Sequence, residues 1–423
     1  MRICLSVVTL SLLLQCVAFS DSNSSWNDQQ WRAFCKENRL RPEGWQSAKP
    51  AKGFPIGIWF DGRVHGINVP EGSVNVPAGE AAARTYYREH FTRIKNRGIP
   101  IIVIPNTPPE YRPWLLDEAQ KVGVRIVLEI VEFVDLMHDS SCAADDWDKM
   151  LSVVRDVHKQ IGGYRSLLYY QLIDEPVAAL SAKLQALTRI LGGVDPRRAA
   201  FSCLCGIGDK EQLIKEWNPS MVVYDCYPLR KDSPVGDFGG FCPSVDTAFR
   251  FADGRPLWMV VQTCAHTEGG LRVPKPAEIR AMTYLSLAHG AKGLFFFLYN
   301  SNTQTERLIG LDVLPEHFAE VADLTAKMKS LSRQLPNLTR IGLIQSKPTT
   351  LDVQEFRDVS GRGFLFVVNT DVQQVFNGNM TIEVTSSEWG RLEDCLTRER
   401  YEMAEKGFRL TLLPGEGKLL RCR

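Results

Sequence analysis

The sequence has almost no net charge. Its 423 residues carry 50 Lys and Arg against 49 Asp and Glu, a formal balance of +1. Nucleic acids and anionic membranes both call for a basic surface, so neither is expected as a main partner. Histidine is scarce, at seven residues, and forms no cluster at the strand ends, which argues against a metal-dependent barrel enzyme. Zinc-type pairs of CxxC are missing, because Cys203-Leu204-Cys205 is one residue too tight, and no metal or other cofactor is expected. No Gly-rich phosphate loop follows the first strand, which counts against an open doubly wound sheet. Low hydrophobicity is absent too: 44% apolar and 23% charged residues describe a globular protein with a core, not a disordered chain.

What is present begins with an address. Arg2 precedes the apolar run Ile3 to Phe19, which ends Ala18-Phe19-Ser20 ahead of the polar Asp21-Ser22-Asn23. Residues 1–20 therefore read as a cleaved signal peptide, and the mature protein as secreted or periplasmic, with no membrane association after cleavage. Cleavage removes one base and no acid, leaving a net charge of 0. It also leaves nine of eleven cysteines, enough outside the cytoplasm for up to four disulfides. Cys395 and Cys422 are near enough in sequence to pair, whereas Cys203, Cys205, Cys226 and Cys264 are as readily small buried apolar residues. Asn23, Asn337 and Asn379 each head an Asn-x-Ser/Thr triplet.

From residue 53 short apolar runs alternate with amphipathic stretches. The expected strands are 55–60, 100–105, 124–131, 167–173, 199–204, 221–226, 257–262 and 293–298. They are nearly continuous in apolarity, as strands covered on both faces should be. Helical patterns fill 79–97, 111–122, 145–161, 178–191, 209–216, 244–252, 275–289 and 315–332. Eight strand-then-helix units in about 280 residues fit a (β/α)8 TIM barrel over 53–335. After Leu335-Pro336 the long helices vanish and short strands at 340–346, 351–356, 363–369, 379–385, 407–413 and 417–422 indicate a small all-β sandwich over 336–423. Residues 21–52, with Trp26, Trp31 and Trp45 but little periodicity, are expected as an arm packed on the barrel.

In such a barrel chemistry belongs at the carboxyl ends of the strands. There the sequence places Trp59, Asn106, Glu129, Asp174-Glu175-Pro176, Asp225-Cys226-Tyr227, Gln262 and Tyr299. Carboxylates for acid/base work, aromatic faces and amides together suit a sugar site. The acidic pair Asp174-Glu175 directly after an apolar run is costly unless something uses it. A helix cap ahead of Pro176 is the plainer explanation. Adjacent strand residues point opposite ways, so the two acids are expected to do different jobs. Asp225 and Tyr227 share parity and are expected to face the mouth together. Glu129 is either a site residue or the partner of a base such as Arg125. The expected catalytic residues are Glu175, Asp174 and Asp225; the expected substrate contacts are Trp59, Asn106, Glu129, Tyr227, Gln262 and Tyr299.

The Asp174-Glu175-Pro176 and Asp225-Cys226-Tyr227-Pro228 endings, the Trp258…Gln262 strand and the Tyr284…His289-Gly290-Ala291-Lys292-Gly293 approach to strand 8 resemble the glycoside hydrolases of the (β/α)8-barrel superfamily. The resemblance covers residues 53 to about 300, and the C-terminal unit is similar to the sandwich often appended to those barrels. It implies an exported enzyme that cleaves the glycosidic bonds of oligo- or polysaccharides, with a carbohydrate substrate as its partner. In the large retaining clan the acid/base is a Glu ending strand 4, usually after Asn, and the nucleophile a Glu ending strand 7. Glu175 matches the first, Asp174 departs from the Asn, and Gln262 stands where the nucleophile is expected and cannot form a glycosyl ester. Two chemistries accommodate the departure. A substrate-assisted, N-acetylhexosaminidase-type reaction would use Asp174 to position the 2-acetamido group and Glu175 to protonate the leaving oxygen. An inverting reaction would use Asp225 or Glu129 to activate water, at about 6.5–9.5 Å from the acid. A non-catalytic carbohydrate-binding barrel is the competing reading, and Gln262 is its support.

Overall fold

The computed structural model describes residues 27–47, 49–50, 53–67, 76–302, 308–382, 389–404 and 407–423. The expected signal peptide, Asn23 and Trp26 lie outside these residues, as do positions 383–385 of an expected strand. The barrel strands are β1 (Ile56–Trp59), β2 (Ile101–Ile104), β3 (Arg125–Glu129), β4 (Leu167–Gln171), β5 (Ala200–Phe201, continued as Cys203–Cys205), β6 (Val222–Asp225), β7 (Leu257–Gln262) and β8 (Gly293–Phe297). Each pairs in parallel with the next, and β8 returns to β1 with Gly57 opposite Phe295. The fifth strand closes the ring in two halves. Its first half pairs with β4 at Ala200, and after Ser202 its second half pairs with β6 at Cys203. The sequence foresaw one continuous strand there.

Strand parity sorts the core. Trp59, Val103, Val127, Tyr169, Phe201, Val223, Trp258, Val260 and Phe295 fill the interior. Trp258 stacks on Phe295 at 5.5 Å, and removing such a side chain from water is worth about 1.5–3 kcal/mol. Gly57 makes this packing possible, because a Cβ there would lie 2.3 Å from the Phe295 ring. The alternate residues, Ile58, Ile102, Ile104, Leu128 and Tyr170 among them, face the helix layer.

That layer begins with α1 (Asp28–Asn38), α2 (Gly44–Ser47), α3 (Glu80–Asn96), α4 (Arg112–Val122), α5 (Val131–His138) and α6 (Trp147–Ile161). It continues with α7 (Ser181–Val194), α8 (Lys210–Trp217), α9 (Phe241–Ala252), α10 (Pro276–Ala288) and α11 (Pro315–Ser330). Two of these contradict the sequence reading. The arm contains α1, started by Asn27, whose side chain accepts from the N–H groups of Gln29 and Gln30 and whose tryptophan, Trp31, packs edge-on to Trp147 of α6. The strand expected over 124–131 ends at Glu129, and its last expected residue, Val131, opens α5, where Phe133, Leu136 and Met137 are buried at helical spacing.

Residues 338–422 form two antiparallel sheets, one of six strands and one of three, packed around Val353, Leu365, Val367, Leu392, Leu410 and Leu420. Strands Arg391–Asp394 and Arg400–Glu402 were not foreseen. The unit docks on α10, which is buried along most of its length. Tyr284 of α10 meets Phe366 at 6.2 Å, and Arg280 donates to the Pro414 carbonyl at 2.8 Å. Gly417 lets the chain lie against Tyr284, where a Cβ would come within 2.6 Å of the ring. His289, at the end of α10, bridges the two units: Nδ1 lies 2.7 Å from Asp246 of α9 and Nε2 3.1 Å from Asp352 of the β unit. Burial alone would lower its pKa, but the bonds to Asp246 and Asp352 outweigh that and hold it up to about 11.

None of the disulfides that the cysteine count allows is formed: all nine cysteines after residue 20 are free thiols. Cys395 and Cys422 fall on opposite faces of the six-stranded sheet, Cys395 toward the barrel core and Cys422 toward the sandwich core, so their Cβ vectors point apart. No helix among the described residues is long and apolar enough to cross a membrane.

Candidate active site

The acidic pair sits where a strand has already ended. β4 stops at Gln171 rather than Ile173, so strand alternation does not govern Asp174 and Glu175. The Leu172 N–H bonds to Phe201 O and the Glu175 N–H to Cys203 O, both at 2.9 Å, which pulls the turn across the top of β5. Glu175 adopts φ 48°, a left-handed conformation that costs a non-glycine residue roughly 1–2 kcal/mol. Neither acid caps the helix that follows. The first free amide there, Ala178 N–H, is taken by Asp209, and Lys210 Nζ donates to Pro176 O at 2.8 Å.

This turn carries Glu175 to Asp225. One carboxylate oxygen of Glu175, one of Asp225 and the Cys205 sulfur lie within 4.8 Å of one another. Asp225 ends β6 directly opposite Cys205 in the parallel register. It accepts a hydrogen bond from the Tyr227 hydroxyl, so the shared parity of these two brings them together as expected. Desolvation, then the charge of Glu175, raises the Asp225 pKa well above the usual range, and the Tyr227 bond offsets only part. Tyr227 in turn stacks on Phe297 at 5.3 Å.

Asp174 and Glu129 complete the cluster. Asp174 is exposed as a residue, yet its carboxyl is crowded by protein at the barrel mouth. Its pKa is raised well above normal by desolvation and by the charges of Glu175, Glu129 and Asp225. Glu129 is buried on the inward parity of β3, and burial pushes it to about 7; the Asn106 N–H and the Arg63 charge oppose this. Its carboxylate receives Gln171 Nε2 and the Asn106 N–H, each at 3.4 Å. Arg125 is not its partner, since it opens the same strand about 13 Å away. Carboxyls this close cannot all ionise together, so the cluster retains protons near neutral pH.

Three expected substrate contacts are committed elsewhere. Gln262 is fully buried; its Oε1 accepts from Leu229 N–H at 3.1 Å, and its Nε2 donates to Leu229 O and Arg272 O at 3.0 Å. It ties the loops after β6 and β7 together, and its amide has nothing left for a ligand. Tyr299 points outward, with its hydroxyl 3.0 Å from His90 Nδ1 and its ring stacked on Phe60. Trp59 is buried edge-on to Phe295 inside the barrel, as floor rather than as a sugar platform. Asn106 stays at the mouth, half-buried with φ 60°, and reaches Glu129 through its backbone.

Residues that the sequence reading passed over also shape the site. Cys205, for which a disulfide and a small buried apolar residue were equally open, has its sulfur within 4.8 Å of a Glu175 carboxylate oxygen. Gln171 holds Glu129, and Asn300 clamps the loop after β1 by accepting from Asp61 N–H at 2.8 Å and donating to Asp61 O at 3.0 Å. Their one sequence signal was position at a strand end. Among the described residues two clusters have the donors to hold a cation, Glu175–Cys205–Asp225 and Cys242–His289–Asp352.

No family model matches the sequence, and no curated protein is similar to it. Solved structures do share the fold. An α-amylase from Geobacillus thermoleovorans, complexed with acarbose, superposes with a TM-score of 0.57 at 11% identity over 90% of this chain and 99% of its own. A β-L-arabinopyranosidase from Geobacillus stearothermophilus gives 0.54 at 13% identity, covering 90% and 98%. A putative α-galactosidase from Bacteroides fragilis gives 0.53 at 11%, covering 88% and 79%. The chain thus has the barrel-plus-β-sandwich fold found in these glycosidases.

Proposed function

We propose that the protein is an exported glycoside hydrolase that cleaves oligo- or polysaccharides at the Glu175–Asp225 pair. The observation that carries this reading is their separation. Retaining glycosidases hold two carboxyl groups about 5–5.5 Å apart, whereas inverting enzymes need about 6.5–9.5 Å for an intervening water. Oxygens within 4.8 Å favour retention over the inverting scheme, and a second carboxylate this close makes substrate assistance unnecessary. The pair shares one proton, which desolvation and the charge of Glu175 favour on Asp225; when it sits on Glu175, half-exposed at the mouth, that acid protonates the glycosidic oxygen as the Asp225 carboxylate attacks the anomeric carbon. The leaving sugar departs with that proton, and a glycosyl ester forms on Asp225. Glu175, now ionised, takes a proton from water, which attacks the ester and frees Asp225. Tyr227 steadies the nucleophile, and Asp174 and Glu129 face the sugar. Gln262 is then a loop brace, so its presence on β7 says nothing against catalysis. The likeness in fold to three glycosidases supports the reaction class, and the sequence of residues 1–20 supports export.

The test is Glu175→Gln and Asp225→Asn on a panel of aryl glycosides. Both should lose at least about 10²-fold in kcat, and Asp225 should carry a mass-trappable glycosyl ester with a 2-fluoro sugar. Wild-type turnover by either variant overturns the assignment.

A further inference from the structure

Glu175 occupies a conformation that its own sequence does not favour, so something must hold it. A backbone hydrogen bond and a close side-chain approach do, and both come from the second half of β5. The Glu175 N–H is fixed to Cys203 O at 2.9 Å, and its side chain meets the thiol of Cys205 two residues along. Cys205 faces inward on the parity of Phe201 and Cys203, opposite Asp225 in the register, so one sulfur stands beside both carboxylates. We propose that Cys205 is a positioning residue, which donates its S–H to the Glu175 carboxylate and sets that group's orientation toward Asp225. The inference rests on the glycosidase reading for its catalytic meaning, though not for the bond itself.

The chemistry suits a thiol. Burial and the neighbouring charges of Asp225 and Glu175 keep Cys205 protonated, so it serves as a neutral donor and adds no third charge. An S–H is a weak donor, and it leaves the carboxylate free to exchange its proton. The break at Ser202 gives a reason for the divided strand: it lets Cys203–Cys205 follow β6 and carry the jig for Glu175 to the side where Asp225 ends.

Cys205→Ala removes the donor and Cys205→Ser keeps one. The alanine variant should lose about tenfold in kcat with a smaller change in KM, and should move the alkaline limb of kcat/KM to higher pH. Serine should restore most of both. A turnover-free readout is the infrared S–H stretch of Cys205, isolated by subtracting the Cys205→Ser spectrum. It should lie at the low frequency of a bonded thiol and rise in Glu175→Gln, whose neutral amide is the weaker acceptor. An S–H band unmoved by Glu175→Gln, or an alanine variant with wild-type kcat and pH limb, overturns the proposal. If the band moves while Glu175→Gln keeps full turnover, the bond stands and the glycosidase reading falls.

Discussion

Glu129→Gln should make the protein more stable, and only on one side of neutrality. Glu129 is 9% exposed, and burial moves its carboxyl from 4.5 up to about 7. Between those two values the folded protein holds a proton that the unfolded chain has lost, so stability falls as pH rises through the window. Above pH 7 the full penalty applies, and a displacement of that size has a ceiling of about 3 kcal/mol. Glutamine removes the charge and retains an acceptor for the Asn106 N–H; its NH2 replaces the oxygen to which Gln171 Nε2 donates, so the Gln171 amide turns over and accepts through its Oε1, which is buried without a partner. Urea unfolding at pH 8 should therefore show a gain of about 2–3 kcal/mol, and at pH 4, where both states carry the neutral acid, no gain. A loss of stability at pH 8, or the same change at both pH values, would refute the reasoning. A stabilising substitution at a mouth residue, accompanied by lost turnover, is what a site held ready at the expense of stability predicts.

Two further outcomes are expected. Gln262→Leu leaves the Leu229 N–H and the Arg272 carbonyl without partners, while Leu229 O keeps the Arg272 N–H, and should cost about 2–4 kcal/mol, seen as a lower thermal midpoint, since each buried orphan costs about 1–3 kcal/mol. His289, raised from 6.5 to about 11, stabilises the fold fully below pH 6.5 and loses that contribution as pH climbs through 11. Melting curves between pH 7 and 11 should thus fall more steeply for the wild type than for His289→Gln.

The barrel was legible because both faces of its strands are covered, and uninterrupted apolar runs are the mark of that environment. The turn chemistry was not. Nothing in Ala-Ala-Phe-Ser-Cys announces that a strand will divide between two neighbours, and α1 hides in a segment whose outward positions are polar and whose inward ones number two. At the site, parity placed Asp225 and Tyr227 together and put Glu129 inside. The same rule failed for Asp174 and Glu175, where the strand had stopped two residues early. Tyr299 and Gln262 were read from type and position alone. Two of their hydrogen-bond partners, His90 and Leu229, lie far off in the chain, and the third, the Arg272 carbonyl, is backbone, so none carries a local signal.

Helix α10 faces the barrel on one side and receives Phe366, Pro414 and Gly417 on the other. A stop codon at position 336 would accordingly release no minimal barrel: it would bare Tyr284 and strand His289 between one carboxylate and water. Calorimetry should find one transition for the whole chain. A recombination event that exchanged the C-terminal sheets for another module would also have to rewrite the outer surface of α10, so the seam at which this gene could be shuffled lies within a helix and not in the linker after it.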